Sequence, residues 1–192
     1  MVDVIELETD RLKMRQWEKG DRPLFAALNA DPVVMEYFPA VLDKSESNAM
    51  AERIQQLISR RGWGFWAVEE KTSHAFIGFV GLHVPTAELP CSPCIEIGWR
   101  LMREFWGKGY ATEAARAALQ VAFKQLDIEE VFAFTPVGNA RSRAVMERLH
   151  MENIQQNFEH PAMPEGHLFR EHVLYRLSWE RWHDWRKINN ED

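Results

Sequence analysis

The chain has no long apolar run, and therefore no candidate transmembrane helix. Its first residues, Met1-Val-Asp-Val-Ile-Glu, are acidic and lack the basic start and apolar core of a signal peptide, which makes the cytoplasm the default location. Positive charge is in deficit: the net charge of −6 argues against a protein devoted to nucleic acid. It permits a cationic or amine substrate without selecting one. Cysteine is scarce, with two residues placed as Cys91-Ser-Pro-Cys94. A redox pair belongs at a helix N-terminus after a strand, but this pair precedes a strand. Zinc needs two more ligands at matching spacing, and no second pair exists. Two reduced thiols in a Pro-containing loop are expected.

What is present is an ordinary globular composition, 46% hydrophobic and 27% charged over 192 residues, enough for one domain with a buried core. Arg11–Gln16 alternates as a first strand. Glu18–Ala30 has helical spacing, and Asp31-Pro32 opens a short second helix through Val34, Met35 and Phe38. A helix capped by Ser45 or Ser47 runs to about Arg61 and stops at Gly62-Trp-Gly64. Phe65–Glu70 and Ala75–Val84 form a hairpin across Lys71–His74. Pro85–Pro93 is a loop, and Cys94–Met102 is the third strand of this group.

A helix from about Tyr110 to Leu126 follows, with Ala111, Ala114, Ala115, Ala118 and Ala122 inward. Glu129–Thr135, apolar on both sides, reads as a central strand. Asn139 caps a helix through Leu149. Met151–Phe158 and His172–Leu177 read as strands on either side of the loop His160–Phe169. Ser178 begins a Trp-rich terminal helix. The order specifies a mixed α/β sheet within one domain, 1–192, with its core at about 9–177 and the terminal helix at 178–188.

The organising stretch is Arg103–Ala115, where a strand gives way to Trp106-Gly-Lys-Gly-Tyr-Ala-Thr and then a helix. Gly107 and Gly109 permit a tight turn and the close approach of a ligand. The unpaired first amides of the helix and its dipole favour an anion, and Lys108 adds charge. The stretch is not a Walker A loop, because Gly109 follows Lys108 and the earlier glycine is missing. Nor is it a dinucleotide fingerprint, because Thr112 holds the third glycine position.

Glu96-Ile-Gly-Trp-Arg-Leu101, Trp106-Gly-Lys-Gly-Tyr-Ala-Thr-Glu-Ala114 and Asn139-Ala-Arg-Ser142 together resemble the GNAT N-acetyltransferases. The branch that includes ribosomal-protein N-terminal acetyltransferases is the nearest in pattern. The resemblance runs from about Thr9 to Leu177 and is most specific between Glu96 and Leu149. It implies the GNAT fold, with a mostly antiparallel twisted sheet flanked by helices and splayed central strands that admit a thioester. It also implies acetyl-CoA as cosubstrate, without a metal, and an amine acceptor that is a protein N-terminus or a small amine.

On that resemblance the cofactor is held by Leu101, Arg103, Trp106, Gly107, Lys108, Gly109, Tyr110, Ala111, Thr112, Asn139 and Ser142. The backbone N–H of Leu101, on a bulged strand, is the oxyanion donor. Glu96, a carboxylate in an apolar strand, acts as base through water or else is half of a salt bridge to Arg100 or Arg176. His83 is the alternative base, or a hydrogen-bonded wall residue. Ser142 is the acid, since no tyrosine occupies the place where many relatives carry one, or it only hydrogen-bonds the cofactor.

Two positions depart from the family pattern: Glu104 stands where Gln or Arg is usual, and His150 stands where a helix-ending glycine is usual. Arg141, Arg143 and Arg148 read as a solvated helix face or as contacts to the cofactor's ribose phosphate. The segment His160–His172 reads as a substrate-side wall rather than a metal site. The terminal tryptophans read as core or interface anchors and leave a homodimer open. The rival functions are a non-catalytic acyl-CoA-binding module, which needs neither Glu96 nor Ser142, and a nucleotide-binding protein.

Overall fold

The computed structural model describes residues 2–188; the ends of the expected 1–192 domain, residue 1 and residues 189–192, lie outside the described residues. The described residues form nine strands and five helices, a mixed α/β architecture with a mostly antiparallel sheet. The chain divides into two compact units, Met1–His83 with Gly98–Ala118, and Val84–Ile97 with Leu119–Asp192. Among the described residues no helix is long and apolar enough to cross a membrane.

In the first unit the strands run β1 (Leu7–Glu8), β2 (Leu12–Arg15), β3 (Phe65–Glu70), β4 (Ala75–His83) and then β5 (Glu96–Leu101). The first four pair antiparallel, with Leu12 opposite Glu70 and Phe65 opposite Gly81. The register of β3 and β4 shifts after Val68, so the chain bulges at Ile77-Gly78. Gly78 has a φ of +137°, and a Cβ there would collide with the carbonyl oxygen of Arg100 and lie 2.8 Å from Cα of Leu101. Only glycine lets β5 come this close.

Helices α1 (Asp21–Ala30) and α2 (Lys44–Arg61) flank these strands in the chain. The cap of α2 is Asp43, not Ser45 or Ser47. Asp43 accepts from the N–H of Glu46 while Glu46 accepts from that of Asp43, a capping box that satisfies two orphan donors. Ser47 is instead fully buried. Gly62 ends α2 in the left-handed conformation, as expected.

The short helix expected after Asp31-Pro32 is a series of turns. The Asp31 side chain accepts from Val33 N–H, an Asx turn that competes with helical bonding, and the β-branched pair Val33-Val34 adds nothing to counter it. Trp17 and Phe25 meet edge to face at 4.8 Å in the core, with Phe76 and Phe79 around them.

In the second unit the order is β5, β6 (Glu130–Pro136), β9 (Glu171–Ser178) and β7 (Glu152–Asn153), with β8 (Phe158–Glu159) also on β9. β5 and β6 are parallel, with Glu96 opposite Phe132, and β6 and β9 are antiparallel over seven pairs. β6 therefore has a neighbour on both edges, as its apolar composition required. The single strand expected over Met151–Phe158 is two short pieces, because Gln155 at φ +60° turns the chain between them.

Helix α3 (Tyr110–Lys124) buries Ala114, Ala115, Ala118 and Ala122, whereas Ala111 is only half-buried. Helix α4 spans Ala140–Arg148, and α5 spans Trp179–Ile188. Of the terminal tryptophans Trp182 is core, 5.1 Å from Phe123, while Trp179 is exposed.

Candidate functional site

Within the first unit, β5 ends at Leu101, a 3-10 turn covers Arg103–Phe105, and the glycine turn leads straight into α3. Gly107 and Gly109 have φ of +73° and +82°, a conformation that side chains with a Cβ seldom adopt. No atom lies within 4 Å of where a Cβ on Gly107 would stand, so that face of the turn is open. Trp106 donates its indole N–H to the carbonyl of Leu101 at 2.8 Å, tying the turn back to the strand end. Arg103, Glu104 and Lys108 are exposed, and the Lys108 ammonium lies 5.0 Å from the Phe105 ring. Tyr110 and Thr112 are buried.

An acid in the first turn of α3, Glu113, would repel the anion that the helix start attracts. The structure neutralises it. Its carboxylate accepts from Thr9 hydroxyl at 2.6 Å, from Arg11 N–H at 3.0 Å and from Arg11 Nε at 2.7 Å. Burial alone would raise the Glu113 carboxyl, but these bonds outweigh it and hold the group below its ordinary value. Arg11 also donates to the carbonyl of Lys108 at 2.9 Å and covers the Tyr110 ring at 4.6 Å. Thr9, Arg11 and Glu113 had no place in the sequence-based site. The signal was the acid itself, since a carboxylate at a helix start expected to receive an anion demands a cation from elsewhere.

His83, the alternative base, stacks on Phe65 at 5.2 Å and makes no hydrogen bond with the described residues. Burial, then the charge of Arg61, lowers its pKa. The hydrogen-bonded reading of this histidine is therefore replaced by an aromatic contact.

In the second unit Glu96 is half-buried as a residue, yet its carboxyl is held away from bulk water. This desolvation pushes it up to about 8. The salt-bridge alternative is not realised: Arg176 pairs with Glu130 and Glu152, and Arg100 bonds Asn29. Cys91 and Cys94 are free thiols, and burial, then Cys91 and Glu96, push the Cys94 thiol up, which makes it a poor nucleophile.

Asn139 caps α4, accepting from Ser142 N–H at 3.2 Å and donating to the Thr135 hydroxyl at 2.9 Å. The half-buried Ser142 hydroxyl has no partner among the described residues. Arg143 is held by the carbonyl of Val137 at 3.1 Å, while Arg141 and Arg148 are exposed. His160 and His172 stand 4.8 Å apart, and burial, then His172, lowers His160 to about 4. No cluster of three potential metal ligands occurs among the described residues.

Residues 11–152 match the family described as the Acetyltransferase (GNAT) domain. The chain is 30% identical over 183 residues to FsC-acetyl coenzyme A-N(2)-transacetylase of Aspergillus fumigatus, covering 92% of this chain and 77% of that one. It is 44% identical over 87 residues to the putative ribosomal N-acetyltransferase YdaF of Bacillus subtilis, covering 45% of this chain and 46% of that one. A GNAT-family acetyltransferase crystal structure from Bacillus anthracis shares the fold with a TM-score of 0.75 at 23% identity, over 92% of this chain and 99% of that one. With the strand, glycine turn and helix in place, and with a family match over most of its length, the chain belongs to the GNAT acetyltransferases, enzymes that use acetyl-CoA as cosubstrate.

Proposed function

We propose that this enzyme moves an acetyl group from acetyl-CoA directly onto a primary amine, of a protein N-terminus or a small molecule, within a ternary complex. The pyrophosphate of acetyl-CoA is received by the amides of Gly107–Thr112, aided by Lys108, and Arg103, Trp106 and Leu101 frame the approach of its arm. Asn139 and Ser142 hold the pantetheine end. The neutral amine attacks the thioester carbon, forming the C–N bond, and its proton passes through water to Glu96. The oxyanion is received by the backbone N–H of Leu101. The C–S bond then breaks, and Ser142 gives its proton to the departing sulfur while regaining one, relayed through water, from the Glu96 carboxyl. Positioning of the two reactants supplies the larger share, up to roughly 7–11 kcal/mol of the barrier in favourable cases.

The observation that carries this reading is the pair of left-handed glycines at the start of a 15-residue helix. The raised Glu96 carboxyl supports its role as a base near neutrality. The names of the two relatives, one an N(2)-transacetylase and one a putative ribosomal enzyme, support both acceptor classes. The family match takes in residues of both units, which supports reading 1–192 as one catalytic domain. No metal is required, and the cytoplasm is the working compartment in this reading.

The test is the thermal midpoint with acetyl-CoA, CoA, ATP and NAD at matched concentrations. A ligand at a hundred times its dissociation constant adds about 2.7 kcal/mol, a shift of several degrees. Stabilisation by acetyl-CoA and CoA alone is expected; a larger shift with ATP or NAD, or none with CoA, would sink the reading.

A further inference from the structure

Two arginines of the first unit are buried to nearly the same degree, Arg15 at 7% exposed and Arg100 at 8%, and are treated in opposite ways. Arg15 gives Nη1 and Nη2 to the Asp21 carboxylate at 2.8 and 3.0 Å and Nε to Glu69 at 2.9 Å. Its charge is fully met, and its pKa is raised, first by the bonds to Asp21. Arg100 has no carboxylate. Nη1 donates to the neutral amide oxygen of Asn29 at 2.6 Å and approaches the Met50 sulfur at 4.0 Å, while Nε is buried with no partner at all.

The surroundings of Arg100 hold its guanidinium in place without neutralising it. Asn29 is itself fully buried, and its amide N–H bonds the buried Ser47 hydroxyl at 3.0 Å, which turns the amide oxygen towards Arg100. Phe38 covers the guanidinium at 4.1 Å and Phe79 lies at 5.4 Å. Phe38 is 37% exposed and belongs to the turn segment between α1 and α2, so the layer over that side of the charge is one solvent-facing ring. Burial lowers the guanidinium to about 10, yet it remains charged at neutral pH. A buried charge ordinarily has a paired opposite charge, and its absence here leaves Nε, on one edge of the planar guanidinium, unsatisfied. A guanidinium edge matches a carboxylate in geometry, and a single positive charge matches it in sign.

Arg100 precedes Leu101, whose N–H the proposed mechanism assigns to the thioester oxygen, so the residue that carries the unpaired charge is the chain neighbour of that donor. Resting on that proposed function, we propose that Arg100 is a specificity-determining residue that binds a carboxylate of the acceptor. The preferred substrates are then primary amines that carry a carboxylate close to the amine. The source is either a free amino acid-like molecule or an acidic side chain at a peptide N-terminus.

The experiment uses two matched pairs of acceptors, 4-aminobutyrate with 4-aminobutanamide, and Asp-Ala-Ala-amide with Asn-Ala-Ala-amide. Thermal midpoints with each amine alone are measured beside initial rates with acetyl-CoA, for the wild type, Arg100→Met and Arg100→Lys. In at least one pair the carboxylated member is expected to have a KM at least tenfold lower and a larger thermal shift. The pair that responds identifies the source.

Arg100→Met is expected to abolish that preference while keeping the stabilisation by acetyl-CoA that reports a folded protein. Arg100→Lys, which keeps the charge without the fork, is expected to reduce the preference at least threefold and serves if the Met variant does not fold. Equal KM values and equal shifts within both wild-type pairs, or a preference that survives in the Arg100 variants, would overturn the proposal. Absence of stabilisation by acetyl-CoA would instead strike the proposed function, and the shifts with amine alone would still decide for or against carboxylate binding.

Discussion

Arg11 and Glu113 meet at 2.6 Å, and the same guanidinium reaches the carbonyl of Lys108 inside the glycine turn. One residue of the N-terminal segment thus neutralises the acid nearest the helix start and fixes the conformation of the loop before it. Arg11→Ala is expected to raise the KM for acetyl-CoA roughly tenfold and to lower stability by about 1 kcal/mol, since Arg11 is half-exposed and its ion pair is screened. Arg11→Lys, which keeps the charge without the fork, should fall between. Acid unfolding gives a second check. The depressed Glu113 carboxyl contributes stability above its unfolded value of about 4.3 and loses it as pH falls through the lower folded value. That acid limb should move to higher pH in Arg11→Ala.

Gly107→Ala should separate binding from folding. Open space surrounds the position, so the methyl group meets no protein atom, but a φ of +73° carries strain of about 1–2 kcal/mol for a residue with a Cβ. Stability should fall by that amount, lowering the thermal midpoint, and the dissociation constant for CoA, measured by calorimetry, should rise at least tenfold because the methyl stands on the open face of the turn.

Glu96 should impose a pH profile. With its carboxyl at about 8, kcat/KM should rise with pH and level off above that value, and Glu96→Gln should remove this limb and cut kcat by roughly a hundredfold. The stability effect has the opposite sign. The native state keeps a proton that the unfolded chain releases near 4.3, so stability falls as pH rises from there to about 8. Glu96→Gln should therefore melt above the wild type at pH 8 while losing activity. A variant both slower and less stable at pH 8 would contradict the assignment.

His150 ends α4 at a φ of +60°, with its N–H on Glu147 and its ring stacked on Trp185 at 4.4 Å. Glycine would remove strain of about 1 kcal/mol and lose a contact of similar size, roughly 0.5–1.5 kcal/mol, so His150→Gly should change stability little. His150→Ala keeps the strain and loses the ring, and should cost about 1 kcal/mol more than the glycine variant. Denaturant titration of both reads the difference.

Most elements were legible in the sequence because their signals are local. Asn139 as a cap, Gly62 as a stop and the two glycines of the turn all appeared in the conformations their residue types favour. Failures came where one short-range signal competed with another: Asp43 outbid Ser45 and Ser47 for the cap, and the Asp31 side chain held its segment in turns. The candidate site was legible only in part. Arg11 and Glu113 lie far apart in the chain, and no periodicity links them. The salt bridge open to Glu96 in the sequence does not form, because Arg100 and Arg176 are engaged with Asn29, Glu130 and Glu152.

The clamp on the glycine turn joins residues 102 positions apart. A ribosome adding about 5–20 residues per second delivers Arg11 roughly 5–20 seconds before the carboxylate that will hold it. Through that interval Arg11 is without its carboxylate partner, and the clamp on the glycine turn cannot form until the two ends of this long loop close. The glycine turn is thus set by a residue made among the first, once more than half of the chain exists.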